Sequence, residues 1–157
     1  MIDGQIVTRG DQEFEKVVVQ AAFQIEAAGL RTAKTEVEEA RADLSRRTEP
    51  DITGTVQHCM AALECVAREV SHDERATLGE IIQRHGAEIG IPKPLDTAIE
   101  RMWGYASEMV RHLREGRVPA REEAEFLLSV SASLIAYLLQ RNRETPEISS
   151  HAFRTAE

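Results

Sequence analysis

The sequence predicts an all-α fold, an up-and-down bundle of about five helices. Apolar residues recur every three or four positions along several segments, which is the spacing of helices that bury one face. No segment shows the strict alternation of apolar and polar residues that is typical of a strand. With 157 residues, of which 42% are hydrophobic and 29% charged, the chain is long enough for one domain with a real core.

The first two helices are predicted between Asp11 and Arg47, after a lead of irregular sequence that we expect to be disordered. Gly29 lies between their apolar stripes and weakens a helix by about 1 kcal/mol relative to alanine, so we expect a bend or break there. The second stripe is narrow and made of small residues, which suits close pairing with a neighbouring helix or with a partner chain. Residues 1–50 are therefore predicted to be an N-terminal helical extension that packs alongside the core or extends an interface.

A new segment begins after Pro50, which cannot continue a helix, and Asp51, which is a good N-cap. The helix predicted there has an unbroken apolar stripe and ends in a polar turn. Thr77 and Glu80, three residues apart, then match the capping box in which each side chain binds a free backbone N–H of the helix start. They open a short helix that ends near Gly86.

The helix with most of the plausible chemistry is predicted in the stretch Leu95–Arg117. One face is an apolar stripe, and the helix stops at Gly116, which readily adopts the left-handed conformation after a helix end. At about 100° per residue, a second line of side chains lies well off that stripe. This line consists of Arg101, Tyr105, Glu108 and His112. Arg111 falls on a third side.

The last helix is predicted from about Ala120 to Arg141, with acidic residues in its first turn, where they favour a helix N-terminus. Its apolar residues cover well over half of its circumference. A helix of this kind is either central in a bundle or faces another subunit, and with so few helices to cover it we expect an intersubunit role. We assign residues 51–141 to the main domain and residues 142–157 to a flexible tail.

Composition narrows the functional classes. The net charge of −8 argues against nucleic-acid binding by bulk electrostatics, which needs clustered Lys and Arg. Residues 101–121 nevertheless contain five arginines against two glutamates, an island that either seats a phosphate-bearing ligand or is a solvated face. The histidines lack a second His or Cys at metal-ligand spacing, so we predict neither a metal site nor a cofactor. Cys59 and Cys65 are too far apart on one helix for a disulfide.

No apolar run approaches the roughly 18 residues that span a bilayer, and the N-terminus lacks the basic and apolar regions of a secretory signal. We therefore expect a cytoplasmic protein.

His112 is the strongest candidate for chemistry because of its neighbours. Glu108 is one helical turn earlier, where a carboxylate orients an imidazole and raises its basicity. Arg111 is a permanent cation that grips phosphate bidentately. A histidine and an arginine are sufficient for metal-free RNA cleavage through attack of the 2′-hydroxyl on the adjacent phosphate. The structural alternative is a helix surface with a Glu–His pair and a solvated arginine.

The order of four segments resembles the HEPN superfamily over roughly residues 53–140. The segments read MAALECVAREV, TLGEII, LDTAIERMWGYASEMVRHLREG and REEAEFLLSVSASLIAYLL. They are most similar to the domain at the C-terminus of abortive-infection proteins of bacteria. The resemblance implies a small helical domain that dimerises through its long helices. In active members, which belong to toxin–antitoxin and phage-defence systems, a composite site at the dimer interface cleaves RNA without a metal.

Active members carry an arginine followed several residues later by a histidine, and Arg111 and His112 occupy the place of that motif. Here they are adjacent, so their side chains diverge by about 100° on a regular helix, and a twofold partner would have to supply convergence. Two functions remain open. One is a ribonuclease with His112 as general base or acid, Arg111 as phosphate clamp, and Glu108 and Tyr105 as supports. In the ribonuclease, Arg101, Arg114 and Arg117 would also bind phosphate or ligand. The other is a non-catalytic module for dimerisation or nucleotide binding, in which the pair is structural.

Overall fold

The computed structural model describes residues 9–111 and 119–151, with side chains described for residues 12–110 and 119–143. All regular secondary structure within these ranges is helical, which confirms the all-α prediction. The helices are α1 (Arg9–Ala27), α2 (Arg31–Leu44), α3 (Ile52–Ser71), α4 (Leu78–His85), α5 (Leu95–Arg111) and α6 (Arg121–His151).

Short connections set the first three helices antiparallel. Gly29 adopts a left-handed φ of 76°, and the helix is interrupted there, between α1 and α2, as expected. Glu15 in the first half of α1 pairs with Arg41 near the end of α2, at 2.7 Å. Glu26 near the end of α1 pairs with Lys34 near the start of α2, at 2.9 Å. These two ion pairs fix the register of the hairpin.

Four of the helices form a ring, in the order α1, α2, α3, α6, in which each packs against the next and α6 packs against α1. α6 runs in the same direction as α3, because Ser131 lies against Met60 and Arg141 lines the same cavity as Val70. In the sequence, α4 and α5 lie between these two parallel helices. They return the chain from the end of α3 to the side of the bundle where both α3 and α6 begin. The prediction of a helical bundle is therefore confirmed for the described residues, with α4 as a short connector. Its up-and-down order is not, because the neighbouring helices α3 and α6 are parallel.

The first two helices belong to the core of their own chain. Val18 and Ile25 of α1 and Val37 and Leu44 of α2 are all at most 3% exposed, and they share one hydrophobic cluster with α3 and α6. Of the two arrangements that the sequence leaves open for this region, the structure shows packing on the core. Burial of these stripes is the main stabilisation of α1 and α2, since isolated helices of this length are marginal.

The wide apolar arc of α6 is covered from within the chain, so the expected intersubunit role is not what buries it. α1 and α3 both pack on α6, and Leu127, Leu128 and Ile135 are at most 1% exposed. Phe126 remains 56% exposed. The sequence prediction assigned residues 1–50 to an extension, and in the structure α1, which lies in that region, covers α6 together with α3.

α6 also continues to His151, where the sequence predicted a tail from residue 142. Gln140, Arg141, Arg143 and Glu144, which follow the last buried leucine, are good helix formers and favour continuation past the apolar stripe. Propensity does not explain the helix beyond them, because Pro146 disfavours a helix interior. Among the described residues, no helix is long and apolar enough to cross a membrane.

Candidate functional site

α5 is the two-sided helix that the sequence predicts. It lies at the edge of the bundle, packed on α3 and α4. The residues facing the core are at most 5% exposed; they are Ile99, Ala106 and Met109. The opposite side is exposed and carries Arg101, Tyr105 and Glu108. The structure thus places three of the predicted site residues on one accessible face.

The remaining candidates lie at or beyond the end of α5. Arg111 is the last residue of the helix, and its side chain lies outside the described residues. His112, Arg114 and Arg117 also lie outside them, as does the predicted helix end at Gly116. The predicted Glu108–His112 pair therefore remains a prediction.

Tyr105 is joined to α6 through Glu123, which the sequence patterns do not mark as part of the site. The Tyr105 hydroxyl donates to Glu123 Oε1, and the backbone N–H of Ala120 donates to Glu123 Oε2 at 2.8 Å. The second bond has a local signal, because an acidic residue three positions after a helix start commonly binds the free N–H there. The first bond joins residues 18 positions apart, and sequence spacing does not reveal it.

The charges around this junction are mixed. Arg121, a member of the arginine island, pairs with Glu125 at 2.8 Å, and α6 begins with Glu122 and Glu123. Arg101 is exposed. In the described part of the junction, the positive charge of the island is therefore partly offset by carboxylates.

An apolar groove of about 390 Å³ separates α5 from α3 on the side away from Tyr105. Its wall on α5 includes Trp103 and Val110, and its wall on α3 includes Val56 and Met60. Both α5 residues are half-buried. A cavity of about 450 Å³ lies elsewhere, among Cys65, Arg68 and the α1–α2 turn, and so does not belong to the α5 face.

A second polar cluster, which the sequence patterns do not reveal either, joins α2 to α3. His58 Nδ1 lies 2.7 Å from Glu36 Oε2, and its Nε2 lies 3.7 Å from Asp43 Oδ2. Asp43 is 3% exposed and is also paired with Arg46 at 2.7 Å. A buried carboxylate needs such partners. The cluster fastens α2 to α3, and each imidazole nitrogen faces a carboxylate.

The described cysteines and metal-ligating residue types form no further reactive site. Cys59 and Cys65 are free thiols, as predicted. Burial raises the pKa of Cys59 to about 12 and also raises the pKa of Cys65, so neither is an activated nucleophile. Within residues 12–110 and 119–143, no group of three or more His, Cys, Asp or Glu side chains is arranged to hold a metal ion.

No protein family model matches the chain, and neither does any curated protein or solved structure. The function is therefore inferred from the geometry of the chain itself. The face of α5 and its junction with α6 bring together the described part of the predicted site.

Proposed function

We propose that this protein is a HEPN-like helical protein that cleaves RNA without a metal ion, in the manner of a toxin or phage-defence ribonuclease. The observation that carries the proposal is the two-sided character of α5. Polar side chains lie exposed along one side of the helix, and the other side is buried in the core. The exposed residues are Arg101, Tyr105 and Glu108. In the sequence, His112 continues this line of side chains, and Arg111 directly precedes it.

The chemistry assigns one role to each member of that pair. His112 removes the proton from a ribose 2′-hydroxyl, and the resulting alkoxide attacks the adjacent phosphorus. The bond to the 5′-oxygen breaks, and an imidazolium returns a proton to this leaving group. The Arg111 guanidinium binds the non-bridging oxygens as negative charge develops on them. The products are a 2′,3′-cyclic phosphate and a 5′-hydroxyl.

The surrounding residues support the pair. Glu108, one turn before His112, orients the imidazole, and Arg101, Arg114 and Arg117 add positive charge for the neighbouring RNA phosphates. Because adjacent helical side chains diverge by about 100°, we propose a homodimer in which an arginine of one protomer and a histidine of the other converge on one phosphate.

The test is cleavage of a labelled mixed-sequence RNA in EDTA by wild type, His112→Ala and the control His72→Ala. His72 is exposed and directly follows the last residue of α3. It is no part of the proposed site, so its variant should keep full activity. We expect products with 2′,3′-cyclic phosphate from wild type and their loss in His112→Ala. Cleavage that survives His112→Ala contradicts the assignment of the site.

A second candidate is a non-catalytic module that dimerises or binds a nucleotide or another ligand. It is favoured by the acidic first turn of α6, by the bond that already occupies the Tyr105 hydroxyl, and by the apolar groove beside Trp103. Trp103 is the sole tryptophan of the chain, so its fluorescence reports on that groove. A folded wild type that cleaves no RNA but changes Trp103 fluorescence on adding a nucleotide or apolar ligand supports this candidate.

A further inference from the structure

The cavity of about 450 Å³ at the α1–α2 turn has walls from two parts of the chain. One wall is the turn itself with the first residues of α2, and the other is the last part of α3 with the loop that follows it. The volume lies within the range of about 300–1,000 Å³ that is typical of small-molecule sites. The cavity is therefore large enough to hold a small ligand between α2 and α3.

Part of the lining is apolar and comes from both walls. Leu30 and Cys65 are half-buried, and Ala33 is 1% exposed. Burial raises the pKa of the Cys65 thiol, so it stays protonated near neutral pH and behaves as a small apolar group. These three side chains offer a surface for the apolar part of a ligand.

The charged part of the lining has opposite signs on the two walls. Arg31 belongs to the α2 wall, and Glu69 and Glu74 belong to the α3 wall. All three are exposed, and within the described residues none of their side chains has a hydrogen bond or an ion pair. Opposite charges thus line one cavity without touching each other, and a ligand can bind them without breaking a bond of the folded chain.

The neighbouring charges are already paired. Arg68 also lines the cavity, but it is bound to Glu64 at 2.5 Å. A second cavity, of about 550 Å³, shares the α1–α2 turn and the first residue of α2. Its lysine, Lys34, is paired with Glu26 at 2.9 Å and with Glu38 at 3.8 Å. The first cavity is therefore the better candidate for a charged ligand.

We infer that the cavity between the α1–α2 turn and the end of α3 binds a free α-amino acid with an apolar side chain. The ligand carboxylate pairs with the Arg31 guanidinium, whose planar fork matches two carboxylate oxygens. The ligand ammonium pairs with Glu69 and Glu74, and its side chain lies against Leu30 and Cys65. A simple anion would face the two glutamates and a simple cation would face Arg31, and such like-charge contacts are unfavourable. A zwitterion satisfies both walls.

This inference is independent of the proposed ribonuclease, and its test uses no RNA. The full chain, labelled with nitrogen-15, is titrated with L-leucine, leucinamide and N-acetylleucine while its backbone amide NMR signals are recorded. Leucinamide lacks the carboxylate and N-acetylleucine lacks the ammonium. We expect L-leucine to shift the amides of residues 30–33 and of Cys65, with a Kd of about 1 mM or lower. Each derivative should bind at least about tenfold more weakly, because it lacks one charged hydrogen-bonding group.

Variants assign each charge of the ligand to its wall. Arg31→Gln should bind leucine and leucinamide equally, and the double variant Glu69→Gln/Glu74→Gln should bind leucine and N-acetylleucine equally. The matched controls are Arg47→Gln and Glu49→Gln, since both residues are exposed and lie between α2 and α3 at the other end of α2. Both controls should bind as wild type does.

Three results would overturn the inference. The first is the absence of shifts at these amides when L-leucine is added to wild type. The second is equal affinity of wild type for leucine and its two derivatives. The third is leucine binding by Arg31→Gln and by the double glutamate variant that matches binding by the controls. The amide spectra also show that each variant is folded, so a loss of binding is not confused with unfolding.

Discussion

The carboxylate of Asp43 occupies space that Gly54 leaves open. A Cβ atom built on Gly54 would lie 2.2 Å from Asp43 Oδ2 and 2.9 Å from the carboxyl group of Asp51. Asp43 comes from the end of α2, and Asp51 caps α3 by accepting the Gly54 N–H at 2.7 Å. The absence of one methyl group therefore allows the end of α2, the cap and the first turn of α3 to meet.

We predict that Gly54→Ala destabilises the protein by about 1–3 kcal/mol. Alanine favours a helix over glycine by about 1 kcal/mol, but the new methyl group forces Asp43 and Asp51 to move, and overpacking of this kind outweighs the gain. Urea unfolding followed by circular dichroism measures the difference. Gly79→Ala is the matched control, since Gly79 lies in the first turn of α4 with nothing within 4 Å of its would-be Cβ. A Gly54→Ala protein as stable as the control would contradict the close approach.

His58→Ala should cost about 1 kcal/mol, because it leaves the carboxylates of Glu36 and Asp43 without their shared partner. His85→Ala is the matched control. His85 also faces two carboxylates, at 3.1 and 3.7 Å, but neither of those is fully buried, so its loss should change stability little. If the two variants lose the same free energy of unfolding in urea, the burial of Asp43 does not make the α2–α3 cluster more stabilising than the pairs of His85.

Local signals explain most of what the sequence predicts correctly. Asp51 and the Thr77–Glu80 capping box act within one helical turn, and the structure has the side-chain bonds expected of both. The apolar face of α5 likewise follows from spacing alone. These features need no knowledge of which helices are neighbours.

What the sequence did not predict depends on pairs of helices. The bonds of Tyr105 to Glu123 and of His58 to Glu36 join residues 18 and 22 positions apart. The sequence contains many other glutamates that could have been the partner of either residue, so the pairing could not be predicted. The packing of α1 on α6 was not predicted for the same reason. An apolar stripe predicts that one face of a helix is buried, but it does not identify the helix that packs against that face.

The buried thiol of Cys59 predicts a loss of stability in alkaline solution. Its pKa is raised from 9.0 to about 12 in the folded protein, so above pH 9 the unfolded chain releases a proton that the folded chain retains. Stability therefore falls as pH rises from about 9 toward 12, by up to about 1.4 kcal/mol per pH unit. Between pH 8 and pH 10, wild type should lose about 1 kcal/mol more than Cys59→Ala in urea unfolding. Identical losses would contradict the raised pKa.

Gly104→Ala tests whether the middle of α5 is an open surface. Gly104 is exposed, and a Cβ built on it meets nothing within 4 Å, so alanine should stabilise the isolated chain by about 0.5–1 kcal/mol through its higher helix propensity. Unfolding at low and high protein concentration measures this, and sedimentation reports the oligomeric state. If another chain packs closely on this face, the added methyl group obstructs it, and the gain should disappear at the higher concentration. A destabilised variant that stays monomeric throughout would show that the exposed face of α5 is wrongly assigned.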